Sequence, residues 1–293
     1  MSERPGVYRY MFEDDKRNKR GELVGNQFAP VIPLAIARGF EKRPKALGKY
    51  HLLLAHDVHA HEDEYAEVYG NKDADFDIIM DNSLIELGYP MPMKEVLDAA
   101  QVVGAKYFIL PDHLSDADRT REAIARAMQE YYDLHGFSTQ TGMHRKGIPL
   151  PMPVVQGRTV TQCVQMLQWL VTHFKYCAIP RVLVEYLGTR AEITMIAANM
   201  GFKIHLLGFS ENLIDDIACA RIPGVMGIDS AVPVRLGLQG TRLSLDNPQN
   251  PGPRGNYWDN PFEHNNFDGL HIAAENIMRF REWIAVPYSI RER

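Results

Sequence analysis

The chain has 293 residues, of which 45% are hydrophobic and 24% are charged, with a formal net charge of -5. These values are typical of one large globular domain, and the acidic balance argues against a protein that coats nucleic acid non-specifically, although a local basic groove stays compatible with it. Cys163, Cys177 and Cys219 lack CxxC spacing and no window of about 18 apolar residues occurs, so the sequence predicts no disulfide framework, no cysteine-rich zinc site and no membrane span.

Short runs rich in Val, Ile and Leu recur along the chain, and most precede a segment with apolar residues at three- and four-residue spacing. In chain order the runs are FAPVIPLAI, YHLLLAH, FDIIMDN, KYFILPD, PMPVVQG, YCAIPR, KIHLLGFS and VMGIDSA. Eight such runs in a chain of this length predict an α/β fold of the TIM type, a (β/α)8 barrel. A doubly wound open sheet is the rival fold, and its nucleotide-binding version is weakened because no GxGxxG follows the first strand.

Three of the segments between these runs predict helices, namely PMKEVLDAAQVVGA, SDADRTREAIARAMQEYYDLHG and TVTQCVQMLQWLVTHF. We expect Ser115 and Thr159 to be N-caps, and the glycines that follow the first two segments to end them. A loop rich in Gly, Pro and Asn, about 245–267, precedes a final helix at about 269–286. The whole chain, 1–293, is therefore predicted to form a single barrel domain.

Polar side chains end five of the predicted strands, and they are Asp81, Asp112, Gln156, Asp229 and His56. Because barrel active sites form where the carboxyl ends of the strands converge, we expect these residues to line one pocket. A single aspartate in such a position more often caps the next helix or closes a turn. Three aspartates with a glutamine and a histidine indicate a site, because neighbouring carboxylates shift one another's pKa and allow one to be ionised while another is protonated.

The order of these motifs resembles that of the tRNA-guanine transglycosylases, barrel enzymes that exchange guanine for a 7-deazaguanine. The motifs that match are IIMDNS, ILPD, PVVQG, LLGFSEN and GIDSAVPVR. In that family a strand-end DS carries the acid/base aspartate, a later aspartate and the glutamine of VQG read the guanine edge, and DCVxPTR carries the nucleophilic aspartate. Asp229, Pro233 and Arg235 fall at the spacing of the last motif, whereas Ser230 and Val234 differ from it.

The resemblance covers roughly residues 50–240, and the chain departs from the tRNA-acting members in two places. Those members carry a cysteine-rich zinc site after the nucleophile, and this chain has no cysteine after Cys219, so we expect the zinc-binding subdomain to be missing. Pro180 and Arg181 stand where the family has the Gly-Gly that faces the incoming base. The motifs YHLLLAHDV and DNSLIELG are instead similar to the DNA-acting branch, the DpdA-type 7-deazaguanine transglycosylases of phage and bacterial DNA modification.

This resemblance implies a role for each strand-end residue. Asp229 would be the nucleophile that traps an oxocarbenium-like sugar, and Asp81 would move a proton on the departing or incoming base. Asp112 would accept from the guanine N1–H and 2-amino group, and Gln156 would donate to O6. The remaining substrate-binding residues that the resemblance implies are Asn82, Leu207, Gly208 and His56.

The implied partners are DNA with a guanine flipped out of the stack and a free 7-deazaguanine base such as preQ0. The residues expected to hold the nucleic acid are Arg235, Arg242 and Arg254, with Tyr257 and Trp258 beside them. We expect no cofactor and no metal, because the stretch HDVHAHEDE fits no zinc spacing and is interpreted as a polar loop. We further expect a cytoplasmic location in a bacterial or phage-infected cell, and the sequence leaves open whether subunits form a homo-oligomer.

Two other functions stay open at this point. A transglycosylase of this kind could act on tRNA, and a barrel hydrolase or nucleobase-binding protein could use the three aspartates for recognition only. Base exchange into DNA, compared with exchange into RNA, separates these functions.

Overall fold

A computed structural model describes the fold. The residues that it describes are 16–17, 23–24, 26–40, 48–70, 76–135, 148–210, 212–246 and 267–285. Eight parallel strands form its centre, and in chain order they are β1 (Gln27–Pro30), β2 (Tyr50–Leu54), β3 (Asp77–Asp81), β4 (Tyr107–Ile109), β5 (Leu150–Met152), β6 (Tyr176–Pro180), β7 (Lys203–Leu207) and β8 (Val225–Ser230). Six of the eight apolar runs contain one of these strands, and the other two, FAPVIPLAI and PMPVVQG, begin one residue after the first residue of β1 and β5.

The strands pair in two four-stranded sheets, in the orders β2-β3-β4-β5 and β1-β8-β7-β6. The sheets join at a parallel bridge between Val154, just after β5, and Ala178 of β6. At this junction Val155 N donates to Ala178 O at 2.9 Å, and Ala178 N donates to Pro153 O at 2.8 Å. On the other side β1 lies against β2, so the strands follow one another round a closed ring. The predicted (β/α)8 barrel is confirmed.

The helices follow the strands as the predicted βα alternation requires. Those described are α1 (Leu34–Gly39), α2 (Ala55–Ala60), α3 (Glu62–Tyr69), α4 (Leu84–Leu87), α5 (Met93–Val102), α6 (Ala117–His135), α7 (Val160–Leu170), α8 (Leu183–Leu187), α9 (Ala191–Asn199), α10 (Leu213–Ala220), α11 (Val232–Leu238) and α12 (Phe267–Ala285). A short antiparallel pair, Lys16–Arg17 with Leu23–Val24, precedes the barrel. A search of the described residues finds no helix with the length and apolar character needed to span a bilayer.

One of the two predicted N-caps is correct. Thr159 caps α7, since its hydroxyl accepts from Gln162 N at 3.2 Å. The prediction for Ser115 is wrong, because α6 begins one residue later and Asp116 Oδ1 accepts from Arg119 N at 3.0 Å. The backbone N–H of Ser115 donates instead to Gln156 Oε1, so Ser115 orients the Gln156 side chain, which follows β5.

The strands are buried on both faces, which explains why they appear in the sequence as continuous apolar runs. In β2, Leu52 and Leu54 point into the barrel and Leu53 points to the surrounding helices, because side chains alternate along a strand. The buried residues of the barrel interior are Ala29, Val31, Tyr50, Leu52, Leu54, Ile79, Tyr107, Ile109, Met152, Val154 and Ala178. They fill the barrel and leave its carboxyl end open for a site.

The last helix, α12, fixes the segment that follows β8. The buried Asn276 donates to Pro233 O at 3.0 Å and Thr241 O at 2.9 Å, and its Oδ1 accepts from Leu243 N at 2.7 Å. Gly237 of α11 lies against α12 so closely that a Cβ atom on it would come within 2.2 Å of the Ala273 backbone. The close approach of α11 and α12 therefore requires glycine at position 237.

Gly237→Ala should lower the free energy of unfolding by about 1–3 kcal/mol, because two packed helices must separate to admit the methyl group. Urea denaturation measures the change. Gln239→Ala, at an exposed position just after α11, serves as the control and should leave the midpoint nearly unchanged. Equal midpoints for parent and Gly237→Ala would show that the two helices do not pack as described.

Candidate active site

A cavity of about 780 Å³ opens at the carboxyl ends of the strands. Eight residues singled out in the sequence line it, namely Asp81, Asn82, Asp112, Gln156, Leu207, Gly208, Asp229 and Arg235. Seven of them lie at or just after the ends of five different strands, and Arg235 lies in α11. This volume is in the range of small-molecule sites.

Asp229 lies at the end of β8 and is nearly buried. Its Oδ1 accepts from Gly208 N at 3.0 Å and lies 3.0 Å from His205 Nε2. Both of these contacts use Oδ1, and Oδ2 has no hydrogen-bond donor among the residues that the structure describes. One carboxylate oxygen is thus held in place while the other is available to a ligand in the cavity.

A buried ion pair supports the loop that carries Gly208. Arg190 is 0% exposed and donates to Leu207 O at 3.2 Å, to Gly208 O at 2.8 Å and to Asp216 Oδ1 at 2.8 Å. Asp216 Oδ2 in turn accepts from Ser210 N at 2.8 Å. The loop is therefore fixed on both sides of Gly208, whose φ of 72° lies in the region that favours glycine.

Asp112 forms the centre of a buried row of polar side chains. Its Oδ1 accepts from Asn82 Nδ2 at 2.8 Å, and its Oδ2 accepts from Gln156 Nε2 at 2.6 Å. Backbone groups orient both amides, since Leu84 N donates to Asn82 Oδ1 and Ser115 N donates to Gln156 Oε1. Burial raises the pKa of Asp112, and the two amide donors oppose that rise. The row presents hydrogen-bonding groups in a fixed order to the cavity.

Asp81, at the end of β3, differs from the other two aspartates in its electrostatics. Burial and then the charge of Glu86 raise its pKa well above the ordinary range, and Asp229 and Asp112 add to the rise. The hydrogen bond from Ser83 N to Asp81 Oδ2, at 2.8 Å, lowers it in part. Asp81 is therefore suited to hold a proton that it can give up and take back.

Not every predicted residue reaches the cavity. His56, expected in the pocket, is not among the residues that line the cavity: α2 begins at Ala55, and the backbone N–H of His56 donates to Ser83 Oγ at 3.2 Å. Arg242 is exposed and pairs with Glu275 of α12 at 3.0 Å, outside the lining. Arg254, Tyr257 and Trp258 lie outside the described residues.

The structure adds groups that the sequence analysis did not select. His205 contacts Asp229 directly, and Tyr50 contacts His205 from across the barrel. Side-chain alternation indicates that both residues point into the barrel. His205 lies two residues before Leu207 and Tyr50 two residues before Leu52, and both leucines line the cavity. Glu86, which raises the pKa of Asp81, follows a strand end by five residues and carries no such signal.

Arg181 is placed at the cavity wall beside the loop after β7. A Cβ atom on Gly208 would lie 3.0 Å from Arg181 Cδ, so the absence of a side chain at Gly208 gives the arginine its space. Partial removal from water and then the charge of Asp229 raise the pKa of Glu86. The positive charge of Arg181 lowers it in part. This arginine directly follows the last residue of β6.

Among the described residues, no group of three or more His, Cys, Asp or Glu side chains is arranged to hold a metal ion. A scan with protein-family models and a search of curated protein sequences found no match.

The chain is similar to solved barrel structures. It matches the YdjI aldolase from Escherichia coli K12 with a TM-score of 0.53 and 13% identity, over 89% of this chain and 91% of that one. It matches a protein from Aquifex aeolicus VF5 with a TM-score of 0.51 and 9% identity, over 89% and 95% of the two chains. Tryptophan synthase subunit alpha from Legionella pneumophila str. Paris gives 0.47 and 10%, over 88% and 92%. The first two similarities place the chain among the (β/α)8 barrels, and at such identities they concern the fold alone.

Asp81→Asn should stabilise the protein in a pH-dependent way. The folded-state pKa of Asp81 is raised above the unfolded value of about 3.9, so the unfolded state loses this proton first and the parent loses stability as pH rises beyond that value. The variant keeps an oxygen for Ser83 N–H and should gain unfolding free energy at about pH 7 but not below about pH 3.5.

Urea denaturation at the two pH values measures this gain. Asp246→Asn, at an exposed position, is the control and should show no comparable difference. A gain for Asp81→Asn that is the same at both pH values would contradict the raised pKa.

Proposed function

We propose that this protein is a base-exchange glycosyltransferase that replaces guanine in DNA by a 7-deazaguanine of the preQ0 type, through a sugar linked covalently to Asp229. One observation carries the proposal. The row formed by Asn82, Asp112 and Gln156 faces the same cavity as the available oxygen of Asp229. A planar base and its sugar carbon need these two features at once.

The row has the hydrogen-bonding order that the edge of guanine requires. Each Asp112 oxygen accepts one amide donor and retains capacity for another, which suits the adjacent N1–H and 2-amino donors of guanine. One N–H of Gln156 binds Asp112, and the second remains for O6. A 7-deazaguanine has the same edge, so one site serves the departing base and the incoming base.

The chemistry requires two carboxyl groups in different protonation states. Asp229 Oδ2 attacks C1′ as the N9–C1′ bond breaks, and the bonding electrons stay with guanine, which takes a proton from Asp81. The incoming base then gives its N9 proton to Asp81, and its N9 attacks C1′ and releases the Asp229 carboxylate. Both half-reactions conserve protons and charge without a cofactor.

The cavity mouth has features that suit an entering nucleotide. Ile85, Leu114 and Tyr186 are exposed there and line the cavity, and Arg158 lies over the Tyr186 ring at 5.6 Å. Exposed apolar and aromatic side chains fill the gap that a flipped base leaves and stack on its neighbours. Arg181 lines the same mouth and supplies positive charge for the phosphates.

Asp229→Ala should abolish exchange, because no other group replaces the attacking oxygen. The assay incubates protein with duplex DNA and labelled guanine or preQ0, followed by mass analysis of the nucleosides, with RNA as a parallel substrate. Asp246→Ala is the control for an exposed aspartate and should exchange at the parental rate. Incorporation by Asp229→Ala at a rate close to the parent's would refute its role as nucleophile, and incorporation into RNA alone would favour a tRNA-type enzyme.

Asp112→Asn tests how the base is read. A mispaired buried partner costs on the order of 1 to 3 kcal/mol, so the variant should bind guanine and its 7-deaza analogues correspondingly more weakly. Hypoxanthine, which lacks the 2-amino group, should bind the parent more weakly than guanine does, and this difference should shrink in the variant. An equal loss for hypoxanthine in both proteins would show that Asp112 does not contact the amino group.

A further inference from the structure

A hydrogen-bond chain runs from Asp229 into the interior of the barrel. His205 Nε2 lies 3.0 Å from Asp229 Oδ1, and His205 Nδ1 lies 2.7 Å from Tyr50 Oη. His205 is 0% exposed and Tyr50 2%. Asp229 and His205 lie on β8 and β7 of one sheet, and Tyr50 lies on β2 of the other sheet. The row of hydrogen bonds therefore crosses the barrel.

With Asp229 ionised, as its proposed role as nucleophile requires, the contacts assign the protons of this row of hydrogen bonds. Asp229 Oδ1 also accepts from Gly208 N, as a carboxylate oxygen does, so the proton between Asp229 and His205 belongs to Nε2. Nδ1 is then the acceptor of the Tyr50 hydroxyl. Burial, more than any neighbouring charge, raises the pKa of Tyr50 well above its ordinary value, so the phenol keeps the proton that it donates.

The neighbouring strand leaves space for this arrangement. A Cβ atom on Gly227 of β8 would lie 2.6 Å from Tyr50 Cε1. Glycine at this position allows the Tyr50 ring to lie across β8 and reach His205. The row of hydrogen bonds therefore uses side chains from three strands and the space left by the missing side chain of Gly227.

We infer that His205 and Tyr50 are positioning residues that hold Oδ1 of Asp229 and thereby direct Oδ2 towards the reacting sugar carbon. This inference rests on the proposed function. Tyr50 sets the tautomer of His205, and His205 sets the orientation of the carboxylate. Without the hydroxyl, the imidazole is free to move its proton to Nδ1 and to present a lone pair to Oδ1.

The same donors bear on the second half of the exchange. When Oδ2 bonds to C1′, Oδ1 becomes the carbonyl oxygen of an ester, and N–H groups bind a neutral carbonyl more weakly than a carboxylate. The donors from His205 and Gly208 therefore stabilise the released carboxylate relative to the ester. A base exchange needs this balance, because the sugar must leave Asp229 as readily as it joins.

Three variants and one matched control test the inference in the exchange assay. Tyr50→Phe removes only the hydroxyl and should lower kcat on the order of 10-fold, with KM for the base within about twofold of the parent's. His205→Leu removes the donor and should lower kcat on the order of 100-fold. His205→Gln restores an N–H donor near the Nε2 position and should recover part of that loss.

Tyr69→Phe is the control. Tyr69 is also buried, and its hydroxyl has no hydrogen-bond partner among the described residues. Its variant should exchange at the parental rate. A second readout is the nitrogen NMR spectrum of His205, which should show the Nε2–H tautomer in the parent and a shifted Nδ1 signal in Tyr50→Phe.

The outcomes separate this inference from the proposed function. Absence of exchange in the parent on DNA and RNA overturns the proposed function and the inference together. Parental kcat in Tyr50→Phe, an equal loss in Tyr69→Phe, or an Nδ1–H tautomer in the parent overturns the inference and leaves the proposed function standing. Should His205→Leu fail to fold, Tyr50→Phe and His205→Gln decide the result.

Discussion

The candidate site depends on the buried ion pair between Arg190 and Asp216. Removing two charges from water costs several kcal/mol per ion, and a pair offsets this only when further hydrogen bonds satisfy its remaining atoms. Here the terminal nitrogens of Arg190 also donate to the carbonyls of Leu207 and Gly208, and Asp216 also accepts from Ser210 N, while the buried Arg190 Nε has no partner among the described residues. The pair thus fixes the backbone after β7. The N–H that holds Asp229 comes from this same backbone, so a structural charge pair sets the geometry of the carboxylate proposed as the nucleophile.

Three aspartates at one end of the barrel are made chemically different by their donors. Asp112 receives two side-chain amides, which oppose the effect of burial on its pKa. Asp229 receives two N–H donors on a single oxygen. Asp81 has the one backbone donor from Ser83 and the charge of Glu86 nearby, so its pKa rises well above the ordinary value. Under the proposed function, identical side chains at the carboxyl ends of three strands serve recognition, attack and proton transfer respectively.

The sequence predicted the barrel because all eight strands carry apolar side chains on both faces, a property visible in one dimension. It also predicted Asp81 and Asp229 at the ends of their strands, whereas Asp112 and Gln156 lie in the loops that follow Ile109 and Met152. It misplaced His56, because nothing in YHLLLAH shows that a helix begins directly after Leu54. The contact of Tyr50 with His205 joins residues 155 positions apart on separate sheets. Such a contact follows from closure of the barrel, which no local pattern encodes.

The charges in the cavity also limit what can enter it. Asp81, Glu86, Asp112 and Asp229 line one space, and a phosphate brought among them would be repelled at close range by those that are ionised, in a medium that screens poorly. A neutral base with N–H donors meets no such barrier. Under the proposed function the phosphodiester stays at the mouth, where Arg181 lies, and only the flipped base and its sugar descend. The acidity of the cavity, which at first argues against a nucleic-acid substrate, then selects the part of that substrate that reaches the reacting groups.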